Sequence, residues 1–546
     1  MLPLRYWPFV GVVVIALAAL AAMALSPTLA WGWLTVFAIA GGLSVVGIID
    51  LSQQGRSLRR NYPLLAHLRF MLDSIGPEIR QYFIEADTDE RPFSRLQRNI
   101  VYQRSKNALD KRPFGTQLDV YAPRFEWMTH SLAPTHPADH DFRIVVGPDR
   151  PQPYSASVLN ISAMSFGSLS ANAIRALNGG AKRGNFYQDT GEGSISQYHR
   201  EAGGDLVWQV ASGYFGCRAP DGGFSEAAFA ANAASPQVRM IEVKLSQGAK
   251  PGHGGVLPAA KVSPEIAAAR GVPVGVDCVS PAAHSEFSTP IGLLQFVERL
   301  RNLSGGKPTG FKLAIGHPWE WFGIAKAMLE TGILPDFIVV DGGEGGTGAA
   351  PLEFTDHVGT PLHEALLLVH NTLVGTNLRS RIRIGAAGKV ITAFDIARTM
   401  ALGADWCNAA RGFMFSLGCV QSLSCHTDHC PTGIATQDPT RQRSLVPGDK
   451  ATRVFQFHEN TLEALRELIG AAGLLHPSEL GPEHIIRRIS TSESRPLSRL
   501  LPFLKPGELL EGECALPVFQ AFWDDARADS FAPPARVLAM RSTKIG

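Results

Sequence analysis

Apolar residues run without a charged interruption from Trp7 to Ile49. Those 43 positions are long enough for two membrane spans of about 20 residues each. Ser26, Pro27 and Thr28 break the run, which predicts one helix over residues 9–25 and a second over 33–49. Trp7, Trp31 and Trp33 stand at the edges, where aromatic rings favour the membrane interface. Arg5 precedes the first span, and Arg56, Arg59 and Arg60 follow the second. The positive-inside rule then puts both ends in the cytoplasm, so that a two-span hairpin in the cytoplasmic membrane holds the rest of the chain on the cytoplasmic face. A cleaved signal peptide is the alternative, with Thr28 and Ala30 near a cleavage site. The second apolar run and its trailing arginines argue against it.

Residues 51–145 mix Arg, Tyr and Phe, with helices expected at 64–73 and 78–85, and read as a mainly helical collar beside the membrane. From 146 onward the period changes. Short β-branched runs end in Gly-rich or polar loops and alternate with Ala- and Leu-rich helical stretches. The runs are 157–162, 185–189, 239–244, 272–278, 310–314, 336–342, 381–385 and 404–410. Eight such units over 146–470 predict an α/β fold of the (β/α)8 TIM-barrel type, with its chemistry at the C-terminal strand ends. Residues 471–546 show no clear period and read as a C-terminal extension without assigned chemistry.

Composition narrows the class. Charged residues are 18%, hydrophobic residues 45%, and Gly contributes 54 of 546 positions. These values exclude a disordered chain or a coiled coil. A net charge of +2 gives no basis for a nucleic-acid partner. Seven cysteines do not make a disulfide framework, but Cys419, Cys425 and Cys430 fall within twelve residues and are followed by Pro431. Their C-x5-C-x4-C spacing lacks the paired CxxC of zinc sites and suits an iron–sulfur cluster. His426 and His429 keep a mixed Cys/His zinc site open. Cys217, Cys278, Cys407 and Cys514 read as buried structural residues. No strand–GxGxxG–helix unit is present, which argues against a dinucleotide site in this chain.

The segments AMSFGS, TGEGS, QVASGYFG, KLSQGAKPGHGG, DGGEGGTGAAP, LRSRIRI and CVQSLSCHTDHCPTGIATQ together resemble the synthase domain of glutamate synthases, in that family's order, over roughly residues 146–470. The membrane hairpin resembles a shorter branch described as glutamate-synthase-like. The resemblance implies an FMN-binding barrel with a [3Fe-4S] cluster on Cys419, Cys425 and Cys430. It implies reductive amination of 2-oxoglutarate to glutamate through 2-iminoglutarate, with hydride from reduced FMN. Electrons would come from ferredoxin or a reductase subunit. The family's N-terminal glutaminase domain has no counterpart in the sequence, so ammonia is expected free or from a separate glutaminase partner. Another amine would make the enzyme an N-alkylglutamate synthase. A membrane-linked flavin and iron–sulfur electron-transfer protein is the further alternative.

Residue by residue, the resemblance places Lys250, Gln247, Ser246 and Arg270 on the dicarboxylate substrate and Glu192 beside the arriving ammonia. Ala163, Met164 and Ser165 would lie along the flavin ring. Gln209 and Lys312 would meet its polar edge, and Asp341, Gly342 and Gly343 would line it. Gly385, Gly388, Ala410, Arg411 and Gly412 would hold the FMN phosphate at the loops after strands seven and eight, where barrels often bind phosphate.

Overall fold

The computed structural model describes residues 3–53, 57–84, 91–512 and 514–542. Its contacts divide the chain into two compact units, Met1–Arg91 and Pro92–Gly546.

In the first unit α1 (Trp7–Leu25) and α2 (Ala30–Ser52) form a helical hairpin, and both are long and apolar enough to cross a membrane. The seam between them is built from small residues: Ala16, Ala19, Ala40 and Gly47 are buried. Leu17, Ile39 and Ile48 face outward. Small residues let two helix backbones approach closely. A Cβ on Gly47 would stand 2.2 Å from the Phe9 ring. Asp50, near the end of α2, is buried. It accepts the Leu64 N–H at 3.1 Å and pairs with His67 Nε2 at 2.9 Å. The helix expected at 64–73 is observed as Leu65–Ile79, starting one residue later. The one expected at 78–85 is its continuation, a single π-helical stretch over Arg80–Ile84, and Glu85 lies outside the described residues. Arg56 also lies outside them.

The second unit is built on a closed barrel of eight parallel strands. They are β1 (Leu159–Ile161), β2 (Gln188–Asp189), β3 (Leu206–Val210), β4 (Val238–Lys244), β5 (Thr309–Leu313), β6 (Phe337–Asp341), β7 (Arg383–Ala387) and β8 (Trp406–Ala409). Each strand pairs with its sequence neighbour, and β8 closes onto β1 through Cys407↔Leu159. Eight strands are thus correct, but one member differs from the sequence reading. Residues 272–278 are not a barrel strand. Val274 and Val276 are exposed, and only Cys278 joins a short antiparallel pair with Val256–Leu257. Pro273 and Gly275 keep that β-branched run out of the sheet. The missing strand is β3, whose LVWQV is buried at every position, as a parallel strand covered on both faces must be.

The collar expected over 51–145 is also revised. Its first part belongs to the hairpin unit, and a Ser94/Gln97 capping box starts Arg95–Ser105 in the barrel unit. Residues 106–142 then contain no helix, in keeping with Pro113, Pro123, Pro134 and Pro137. The strand Glu126–Met128 there pairs with Ile485–Arg488 of the C-terminal extension. That extension wraps the barrel: Phe519 stacks on Phe322 at 4.9 Å.

Candidate active site at the mouth of the barrel

Strand register decides which polar side chains meet. Gln209 on β3 lies opposite Glu242 on β4, and Lys244 lies opposite Lys312 on β5. All four are at or near the C-terminal strand ends, where a parallel barrel presents its chemistry. Gln209 Nε2 donates to Glu242 Oε1 at 2.6 Å. Lys312 pairs with Asp341 at 3.3 Å. Burial alone would lower the Lys312 pKa, but Asp341, Glu242 and Asp189 together hold it above the ordinary lysine value.

Above this interior layer, the loop after β4 gathers cations around one carboxylate. Lys244 Nζ stands 2.9 Å from Glu192 Oε2 and also donates to Gln247 Oε1. Lys250 is buried and donates to the Gly254 carbonyl at 3.0 Å. Gly255 lies against Glu192, with no room for a side chain: a Cβ there would be 2.3 Å from Oε1. Burial works to raise the Glu192 pKa, yet Lys244, with Arg270 and Lys250 behind it, holds it below the usual carboxylate range. Burial pushes the Lys250 ammonium below its usual range; Glu192 opposes this and Lys244 adds to it. Arg270 is buried. Its Nη2 donates to the Phe166 carbonyl at 3.1 Å, its guanidinium lies over the Phe215 ring at 5.2 Å, and its Nε has no hydrogen-bond partner. Three cations therefore surround one carboxylate, an excess of positive charge suited to a dianion. Ser246 has another task. Its hydroxyl donates to the Ala314 carbonyl and accepts the Ala314 N–H at 2.8 Å, tying the loop to the end of β5.

The glycines expected around a cofactor divide by what they touch. Met164 and Ser165 lie against Gly191, where a Cβ would meet the Ser165 nitrogen at 2.7 Å, and Ala163 beside them is part-exposed. Asp341 accepts the Gly248 N–H at 3.0 Å, which docks the β4 loop on the β6 loop. Gly342 and Gly343 spend their N–H groups on the Ala387 and Thr360 carbonyls, so they line the site as backbone and do not donate into it. Gly385 lies inside β7, and a Cβ there would stand 2.7 Å from Trp406; it makes room for the indole and does not form a loop-end cradle. Gly388 follows β7 and packs on Leu362. After β8, Ala410 leads into the helix Arg411–Ser416, which has no side-chain cap. Its first N–H groups are left for another acceptor. Gly412 in that turn packs on Phe457, and a Cβ on Gly346 would lie 3.5 Å from Arg411 Nη2.

The three clustered cysteines all carry free thiols in the loop that follows this helix. Burial pushes Cys419 up to about 11. Cys430 is also buried, but the N–H groups of Ala435, Thr432 and Ile434 and the Thr432 hydroxyl hold its thiol below the usual range. Lys261 is buried beside them and donates to the Cys425 and Ala435 carbonyls at 2.9 and 3.1 Å. Among the described residues no three His, Cys, Asp or Glu side chains are gathered closely enough to hold one metal ion. Neither a mixed Cys/His group nor the three cysteines by themselves form such a gathering. A three-iron cluster takes one thiolate per iron and calls for a wider spread of donors. Of the other cysteines, Cys217, Cys278 and Cys407 are buried, whereas Cys514 is part-exposed.

Sequence reasoning missed Lys244, Glu242 and Asp189. The signal was present in RMIEVK, where Glu242 and Lys244 sit two apart on one face of an otherwise buried strand.

Comparison with known proteins adds a family. The conserved region in glutamate synthase matches residues 138–475. The glutamate synthase large subunit-like protein YerD of Bacillus subtilis (strain 168) is 38% identical over 81% of this chain and 91% of its own length. The archaeal glutamate synthase [NADPH] of Methanocaldococcus jannaschii is 36% identical over 58% of each chain. The chain therefore spans nearly all of the first relative but under two thirds of the second. Among solved structures, the flavin-binding domain of baker's yeast flavocytochrome b2 aligns with a TM-score of 0.40 at 11% identity, covering 80% of this chain and 87% of that one.

Proposed function

Because the chain belongs to the glutamate synthase family of oxidoreductases, we propose that its barrel mouth aminates 2-oxoglutarate reductively to glutamate. The observation that carries this reading is the cluster of Lys244, Lys250 and Arg270 around Glu192 and Gln247. Two carboxylates of a dicarboxylate need at least two cations, and the unpartnered Nε of buried Arg270 leaves one donor to satisfy. Lys250 and Gln247 bind the substrate, and Lys244 orients Gln247 while neutralising Glu192. Ser246 fixes the loop that carries them, and Arg270 adds charge and its unpartnered Nε. Glu192, already paired, serves the amine only when Lys244 is drawn to the substrate.

The residues fit the family's cofactors. The uncapped turn at Arg411 and Gly412, with Ala410 and Gly388, would take the FMN phosphate. Ala163, Met164 and Ser165 would support the ring, while Gln209, Lys312 and Asp341 would sit at its polar edge beside Gly342 and Gly343. Cys419, Cys425 and Cys430 would hold the [3Fe-4S] cluster. Bound FMN would supply the hydride, and the cluster would pass in single electrons. The chain's own groups hold the substrate, exclude water and keep Lys312 protonated. Electrons come from ferredoxin or a reductase subunit, and ammonia from solution or a glutaminase partner. The helical hairpin serves as a two-span anchor in the cytoplasmic membrane, with the barrel on the cytoplasmic side.

The test is cofactor content under anaerobic purification. Wild-type protein is expected to carry FMN and a three-iron electron-paramagnetic-resonance signal. Cys430→Ser is expected to lose the signal and most of the iron while keeping FMN. Wild-type protein without either cofactor would overturn the assignment.

A further inference from the structure

The interior layer below the mouth holds more acid than base. Asp189 on β2, Glu242 on β4 and Asp341 on β6 face one cation, Lys312 on β5. Lys312 is committed to Asp341. Asp189 and Glu242, each at most 1% exposed, stand within hydrogen-bond range of each other. Their other partners are single donors: the Gly191 N–H for Asp189 at 2.9 Å and Gln209 Nε2 for Glu242 at 2.6 Å. The Tyr187 hydroxyl also lies in this electrostatic neighbourhood, but it is engaged with Asn408 and Trp406. Two carboxylates cannot accept from each other, and two dry like charges in contact cannot both persist.

We propose that Asp189 and Glu242 share a single proton, which makes them a charge-setting pair beneath the flavin's polar edge. The inference rests on the flavin reading for its consequence but not for the proton itself. With the proton present, the four groups carry one net negative charge; without it, two. A second buried negative charge would oppose electron uptake by a flavin above it, so the proton keeps the cofactor reducible. Burial raises the Asp189 pKa well above the ordinary value, with the Glu242 carboxylate adding to it and Lys312 opposing it. Burial likewise raises that of Glu242. The two titrate as a pair, not as separate sites.

The isosteric variants D189N and E242Q and the double variant D189N/E242Q separate the outcomes. Infrared difference spectra of full-length protein are expected to show a protonated-carboxyl band at neutral pH that either single variant removes. Each single variant replaces the shared proton by a neutral amide and leaves one carboxylate. The flavin midpoint potential in the singles should therefore stay near wild type, and that of the double should shift positive. Only wild type should show an extra fall in potential at the pH where the band disappears. No band in wild type, a band surviving in both singles, or equal shifts from each single would overturn the shared proton. Loss of FMN from wild type would instead overturn the flavin reading, because the infrared band can be read without flavin.

Discussion

Lys250→Met is expected to lower kcat/KM for 2-oxoglutarate by roughly 10- to 150-fold, the loss of one charged hydrogen bond of about 1.5–3 kcal/mol. The loss should appear chiefly in KM for the dicarboxylate, with KM for ammonium little changed. Steady-state kinetics with each substrate varied in turn checks it. The same residue gives the pH dependence a sign. Burial is the largest influence on Lys250 and lowers its pKa from the ordinary lysine value. The ammonium is present below that lowered pKa and is lost as pH rises through it. KM for 2-oxoglutarate should therefore climb on the alkaline side at a lower pH than an exposed lysine would allow. In Lys250→Met the climb should be absent. An unchanged alkaline limb in that variant would assign it to another group.

The second large effect is expected at Lys244. Its ammonium is the principal partner of Glu192, whose side chain is only 19% exposed. Removing one member of a largely buried pair leaves a charge that is neither solvated nor neutralised. Lys244→Met is expected to destabilise the barrel by about 1–3 kcal/mol, below the cost for a fully buried pair because some water reaches Glu192. Activity should fall as well, since Gln247 loses the donor that orients it. Glu192→Gln added to Lys244→Met should restore much of the stability without restoring activity. Denaturant unfolding of the four proteins in the cycle measures the coupling. Additive losses would mean that the pair contributes little.

The parts of this site legible in the sequence were those that fall in one short segment. Gln247 and Lys250 sit three apart, and Cys419, Cys425 and Cys430 lie within twelve positions. Local spacing is preserved whatever the fold does elsewhere. What stayed hidden depended on register between distant strands. Glu242 reads as an ordinary polar position in RMIEVK until β3 is placed beside it and Gln209 comes opposite. Strand β3 itself was obscured because its five buried residues have no alternation. The run at 272–278, with more β-branched residues, took its place, although Pro273 and Gly275 turn that run out to solvent. The role of Gly385 shifted for a similar reason: only the pairing of β7 with β8 shows Trp406 filling the space beside it. The two helices of the hairpin could be read outright, because a long apolar run broken once at Ser26, Pro27 and Thr28 leaves two helix-length segments.

The most direct test of the account is product formation from isotopically labelled ammonium. Detergent-solubilised protein, with FMN and iron content verified, is reduced chemically without oxygen. It is then given 2-oxoglutarate with labelled ammonium, or in parallel with methylamine. The account predicts labelled glutamate from ammonium, with its yield limited by the reduced flavin present. Product from methylamine alone, or none from either amine with both cofactors intact, would contradict it.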